Sequence, residues 1–263
     1  VSWKFFTNSG QQKTFDSSVA SSVSTVASAS SIAVTGPGTY LLTGTTTVAT
    51  ITGGATGMTI TVQASAQASG TPVVLTYGTG SNAIKLAGGR SLGLYAQVPA
   101  DTAAGAGESV TLRYDGTAWV EIARDLRTVL SYTQVTTSVT ISGGSGTETT
   151  CIGPSSAITF DGVTPIEIET YAYWQTGTTA ASNIVPSFWF NSTQIGVLGI
   201  FGTATGGNDI RVPSALKRSY TPTAISQTFT VKAYQNGSNG TMNAGTGIAN
   251  AVVPAYLKIS RAL

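Results

Sequence analysis

Glu167 and Glu169 stand two residues apart in Ile166 to Trp174, a run that reads as a strand, so both carboxylates project from one side of it. Glycoside hydrolysis uses such a pair, one group as acid and the other as base or nucleophile, about 5 to 10 Å apart across a cleft. Tyr171 and Tyr173 share that side, whereas Ile166, Ile168 and Trp174 take the other. Aromatic rings beside carboxylates can stack on a sugar ring while the acids bond its hydroxyls, which makes Glu167, Glu169, Tyr171 and Tyr173 the candidate glycan-binding set. Two plainer readings stand next to it. A solvated strand face accounts for the carboxylates, since apolar alternation alone produces the pair. Packing in a core or subunit interface accounts for Tyr171, Tyr173 and Trp174 together with Phe188, Trp189 and Phe190. No catalytic residue is expected.

The rest of the chain offers little reactive chemistry. It contains no histidine, which removes the commonest general base and the usual nitrogen ligand of a transition metal. The single Cys151 has no base beside it and no partner for an intrachain disulfide, so it reads as a buried, inert thiol. Neither a metal site nor a cofactor is expected. Asp115 and Asp161 each precede a glycine and read as turn residues. The glycine run at Gly206-Gly207 opens no helix after a strand, so it is no phosphate loop. Asn191, Asn236 and Asn239 head glycosylation sequons of the kind that a Ser/Thr-rich chain produces by chance. The net charge of +2 and the small basic group Arg211, Lys217 and Arg218 fall far short of a nucleic-acid footprint. No apolar stretch approaches the length that crosses a bilayer as a helix, so no membrane insertion is expected. The opening Val-Ser-Trp-Lys-Phe-Phe lacks the plan of a secretory signal, which suggests assembly in the producing cytoplasm and release by lysis.

The elements that must position these residues are strands. Only 9% of the 263 residues are charged, against about 25% in an average domain, while 31 are glycine and Ser/Thr abound. A hydroxyl-rich, nearly uncharged text of this kind excludes a helical bundle. Residues 1 to 15 form an aromatic arm with Trp3, Phe5, Phe6 and Phe15. After it, the Ser/Thr-rich window 17 to 31 reads either as a flexible linker or as a coil seam through Phe15, Val19, Val23, Val26 and Ser30, with Asp16 as cap. Poor helix propensity favours the linker.

From Ile32 to Arg124, short apolar runs alternate with glycine turns. Val110, Leu112 and Tyr114, the turn pair Asp115-Gly116 and then Trp119, Val120 and Ile122 spell a hairpin with a type I′ turn. The absence of an exact internal repeat disfavours a regular solenoid. The charge cluster at Arg124, Asp125 and Arg127 marks a boundary. Beyond it lie about eight longer, more aromatic strands, the pattern of a jelly-roll sandwich. The expected division is an anchoring arm and linker over 1–31, a glycine-rich β shoulder over 32–125 and a jelly-roll-like β-sandwich over 126–263.

The segment Glu108-Ser-Val-Thr-Leu-Arg-Tyr-Asp-Gly-Thr-Ala-Trp-Val-Glu-Ile-Ala-Arg124 resembles the hairpin that recurs in tail-fibre, head-fibre and other spike proteins of tailed bacteriophages. The arm Trp3 to Gly10 is similar to the N-terminal segments of minor tail or fibre proteins, and Thr128 to Leu263 resembles the terminal jelly rolls of that class. The resemblance implies a non-enzymatic virion component, a homotrimer whose arm carrying Trp3, Phe5, Phe6 and Phe15 plugs into other virion proteins of tail or capsid. Its β head would project outward, with a host-surface glycan as a further partner. A tail fibre or minor tail protein leads; a head fibre or capsid decoration protein comes next, and a polysaccharide-degrading spike third.

Overall fold

The computed structural model describes residues 2–6, 12–16, 22–65, 71–96, 107–176, 182–202, 211–237, 239–248 and 251–262, the first two stretches as backbone. Two compact units divide the chain, residues 1–126 and 127–263. Strands are the regular element of the described residues, apart from one 3-10 turn at Ala87–Gly89, as an all-β composition requires.

The first unit runs through β1 (Ser2–Phe6), β2 (Gln12–Asp16), β3 (Ser22–Ala27), β4 (Ser31–Ala33), β5 (Gly38–Thr43), β6 (Thr50–Thr52), β7 (Thr59–Ala64), β8 (Val73–Leu75), β9 (Ile84–Lys85), β10 (Leu92–Leu94), β11 (Ser109–Tyr114) and β12 (Trp119–Asp125). β1 and β2 pair with each other as a hairpin, Trp3 opposite Phe15 and Phe6 opposite Gln12. Between β3 and β7 the chain winds in successive parallel turns. β3, β5 and β7 lie side by side and parallel in one sheet, β4 and β6 in another. The turns differ in length, which is why no repeat is legible: Ser22 pairs with Gly38, Ile32 with Ile51, Tyr40 with Val62 and Val48 with Leu75, offsets of 16, 19, 22 and 27 residues. Inward residues from each turn, among them Ile32, Leu42, Val48, Ile51, Ile60, Val62 and Leu75, fill one core. From Ser17 to Ile84 the sequence has no Asp, Glu, Lys or Arg, so the wound part of the unit is built without a formal charge.

Two expectations change here. Residues 22–31, read as linker or coil, begin with strand β3. Ser, Thr and Val are mediocre in helices but suit a pleated surface, and pairing with β5 supplies the backbone bonds that hydrophobicity alone does not signal. The hairpin of β11 and β12 forms with Tyr114 opposite Trp119, yet its turn is not type I′, which would need positive φ at both Asp115 and Gly116. Only Gly116 has it, at 103°. The loop is held by the Asp115 carboxylate, which accepts the amides of Thr117 at 2.8 Å and Ala118 at 2.7 Å. Those bonds, with Lys85 Nζ at 3.2 Å, pull the Asp115 carboxyl down to about 2.

The second unit comprises β13 (Val129–Val135), β14 (Thr137–Ile141), β15 (Thr149–Ile152), β16 (Ile158–Thr159), β17 (Ile166–Gln175), β18 (Asn183–Phe190), β19 (Thr193–Val197), β20 (Phe201–Gly202), β21 (Arg211–Tyr220), β22 (Ser226–Gln227), β23 (Phe229–Asn236), β24 (Gly240–Ile248), β25 (Ala251–Val253) and β26 (Ala255–Arg261). Its first sheet runs β13-β26-β17-β21 and its second β15-β23-β18-β19, all antiparallel. Those eight strands, alternating between sheets in this order, make a jelly roll. β14, β24 and β25 extend the first sheet where β26 stops pairing with β17. The core between the sheets takes Ile166, Ile168, Trp174, Leu257 and Ile259 from one side and Phe188, Phe229 and Val231 from the other. Trp174 is buried and donates its indole N–H to Ser214 Oγ at 2.8 Å.

Candidate functional site on the outer sheet of the jelly roll

Along β17, buried and half-buried residues alternate without interruption from Ile166 to Gln175. Ile166, Ile168, Thr170, Ala172 and Trp174 face the core; Glu167, Glu169, Tyr171 and Tyr173 occupy the outer surface. All four candidate residues therefore share one face. The strand order then sets their neighbours: β26 places Tyr256 beside Tyr171 and Lys258 beside Glu169, while β21 places Lys217 beside Glu169 and Ala215 beside Tyr171. Next to β26, β13 brings Tyr132 opposite Lys258.

The result is a row of three rings. Tyr256 lies between Tyr132, with centroids 5.4 Å apart, and Tyr171, at 6.2 Å with an interplanar angle of 15°. Tyr132 remains 54% exposed. On the other side of Tyr171, β21 places the exposed Ala215, whose side chain is too small to cover a ring.

Below the rings runs an ion network. Tyr256 Oη donates to Glu169 Oε1 at 2.7 Å, Lys217 Nζ lies 2.9 Å from Glu167 Oε1 and 3.4 Å from Glu169 Oε2, and Lys258 Nζ lies 3.5 Å from Glu169 Oε2. The Tyr256 hydrogen bond, with the two ammonium groups, holds the Glu169 carboxyl below its ordinary value. The same bond pushes the Tyr256 hydroxyl up to about 12, and Glu167 raises Lys217. A glycosidase acid has to retain its proton near neutrality. Glu169 is held in the opposite state, and Glu167 shares an ammonium with it. The face can accept and donate hydrogen bonds around an aromatic step, and Glu169 is not set up as a general acid.

A depressed carboxyl pKa stabilises the fold above the ordinary value of 4.5 and loses that contribution as the pH falls through the folded-state value. Tyr256→Phe removes the donor, so at neutral pH it should cost about 1 kcal/mol, the worth of one partly exposed charge-assisted bond. At acid pH the variant should draw level with the parent. Urea unfolding over a pH series from neutral into the acid range checks this, and a deficit that nowhere shrinks with acid would contradict the assignment.

Elsewhere, the sequence readings fall as follows. Cys151 is buried, and burial pushes its thiol up to about 12, so it is inert at neutral pH. The Asp161 carboxylate caps its own turn through the amides of Val163 at 2.9 Å and Thr164 at 2.8 Å. Phe188 is core, Trp189 lies under Lys232 Nζ at 4.2 Å and Phe190 packs on Tyr220 and Phe229. Lys217 and Arg218, adjacent on β21, project from opposite faces of their sheet. Trp3, Phe5, Phe6 and Phe15 are placed on the β1–β2 hairpin by register, and their side chains lie outside the described residues. Among the described residues no group of three or more His, Cys, Asp or Glu could hold a metal ion. No helix among them is long and apolar enough to cross a membrane.

Tyr132, Tyr256 and Lys258 complete the face and were not singled out from sequence, while Lys217 stood out only as part of a small basic group. Tyr256 and Lys258 alternate with Leu257 and Ile259, a legible signal of an outer face. That this face adjoins β17 depends on strand order, which alternation does not carry.

No protein-family model and no curated protein matches the chain. Among solved structures, the infectious bursal disease virus Gx strain aligns over 66% of this chain and 46% of its own, with 13% identity and a TM-score of 0.28. The T13 particle of the same virus aligns over 65% and 46%, with 12% identity and a TM-score of 0.28. A D431N mutant VP2 protein of that virus, from derived T=1 particles, aligns over 59% and 45%, with 11% identity and a TM-score of 0.26. The chain thus spans under half the length of the structures it matches. Likeness at this level carries no weight for function, and the jelly roll rests on the strand order alone.

Proposed function

We propose that this protein is a non-enzymatic structural component of a virion, of the tail-fibre or minor-tail type. In this reading three copies associate, the N-terminal hairpin attaches them to the particle, and the jelly roll carries a surface for host glycans. The outer face of β17 carries the proposal: a half-open tyrosine step, Tyr171 beside Ala215, bordered by Glu167, Glu169 and Lys217, whose charges are locked against one another. Such a face suits recognition by stacking and hydroxyl contacts rather than bond cleavage. The reading also draws on the resemblance of the β11–β12 hairpin segment to fibre and spike proteins of tailed phages.

Binding of the full-length chain to isolated host-surface polysaccharide tests the head. Tyr171→Ala should weaken binding at least tenfold while the thermal midpoint stays within a few degrees, since the ring is half-buried and outside the core. Undiminished binding would remove Tyr171 from the surface. Gold-labelled antibody on intact particles, with the mass of the purified protein in solution, tests position and the expected three copies. Labelling on the capsid would favour the decoration type, and its absence from particles would reject the virion role.

A further inference from the structure

The wound part of the first unit has unequal ends. On one side its parallel sheet is closed by the chain itself: β7 pairs antiparallel with β11 and β11 with β12, and β12 pairs parallel with β9. On the other side the first turn, β3 and β4, pairs only inward with β5 and β6 among the described residues. β3 therefore presents one edge whose backbone donors and acceptors meet no described strand. Stacked parallel turns need a cap at each end, because an open edge is a template for another chain.

Natural edges are blunted by lysine, proline or bulges. This one has none of them. Residues 22–33, Ser-Val-Ser-Thr-Val-Ala-Ser-Ala-Ser-Ser-Ile-Ala, contain no charge and no proline, and the β3–β5 register is continuous from Ser22 to Ala27. Val23 lies on this edge strand 65% exposed. The edge also follows directly on the β1–β2 hairpin, the segment read as the attachment to the particle, so both belong to the same N-terminal stretch of chain.

We infer that β3 is a strand-addition site, completed by an extended, uncharged, β-branched segment of a neighbouring virion protein. The neighbour's chemistry follows from the edge: a charge at a core-facing position of the added strand, beside Val26, would be desolvated with no counter-charge from Ser17 to Ile84. Main-chain bonds would supply the affinity and small alternating side chains the fit, as in other β-augmentation. This inference rests on the proposed virion role.

Hydrogen exchange of the full chain, free in solution and within intact particles, tests it. Amides of residues 22–27 should exchange at least tenfold more slowly in particles, with those of β7 and β11 unchanged. Val23→Lys should reduce incorporation at least tenfold without changing the thermal midpoint, and Val23→Thr should incorporate normally. Equal exchange of 22–27 in particles that contain the chain would overturn the inference. So would protection of those amides in the free protein that grows with its concentration, since a second copy would then be the occupant. Absence of the chain from particles would instead reject the virion role itself, a separate result read by mass spectrometry of the same sample.

Discussion

Trp119→Ala should destabilise the first unit by about 3 to 5 kcal/mol, a large share of what a domain of this size possesses. The indole is fully buried, packs 5.1 Å from the Tyr114 ring and donates its N–H to the Ile51 carbonyl at 2.7 Å. Its position makes the loss larger than its area alone. Trp119 belongs to the closing hairpin, Ile51 to the wound turns, so one side chain ties the two together and its removal leaves a buried carbonyl without its donor. The fit is tight enough to require Gly54, where an added Cβ would lie 2.7 Å from the Tyr114 ring and 2.9 Å from Trp119. Urea unfolding combined with hydrogen exchange of β5, β7 and β11 reads the effect. Trp119→Phe should recover part of it, having a ring but no N–H. A loss below about 1 kcal/mol would show that the hairpin holds by its backbone pairing alone.

Phe229→Ala should cost the jelly roll a similar amount, about 3 to 5 kcal/mol. Phe229 is fully buried, edge-on to Phe160 at 5.8 Å and to Tyr220 at 6.4 Å, and tilted against Phe190 at 5.4 Å. Three rings lose contact at once, and their rigid planes have little means of collapsing into the space left. Its backbone is engaged as well: the amide donates to Ser155 Oγ at 3.0 Å and the carbonyl accepts from the Ser155 amide at 2.8 Å. Phe229→Leu keeps most of the volume and should cost less. Chemical unfolding with near-ultraviolet circular dichroism, which reports the packed rings, checks both variants.

Strict alternation carried most of what was legible. β11 is visible in sequence because apolar and polar residues alternate in it without a break, and the alternation that opens the run Ile166 to Trp174 places Glu167, Glu169, Tyr171 and Tyr173 together. Short apolar runs such as Val73 to Leu75 were legible too, whereas strands broken by glycine, proline or serine were hidden. β24, Gly-Thr-Met-Asn-Ala-Gly-Thr-Gly-Ile, reads as turn text because three glycines and an asparagine interrupt it; Gly240 nevertheless has to be glycine, since a Cβ there would meet the Ile184 side chain at 2.5 Å. β21 is obscured by Pro213 and its basic residues, which an edge strand tolerates and a central one does not. β3 was hidden by composition, its serines resembling a linker.

The face of the jelly roll was half legible for a related reason. Side-chain alternation is local, and it fixed which residues of β17 point outward. The ring row and the ion network arise between strands far apart in the chain, Tyr132 from β13 and Tyr256 from β26, and only the order of the sheet brings them together.

The stretch from Ser17 to Ile84 without a carboxylate, ammonium or guanidinium has one further consequence. Acid finds nothing there to protonate and dissolved electrolyte nothing to shield, so proton linkage and ionic screening, two ordinary routes by which surroundings loosen a protein, have no purchase on the winding itself. Whatever acidity or brine does through charge enters elsewhere: through the N-terminal hairpin, through the charged residues from Lys85 to Asp125, or through the jelly roll.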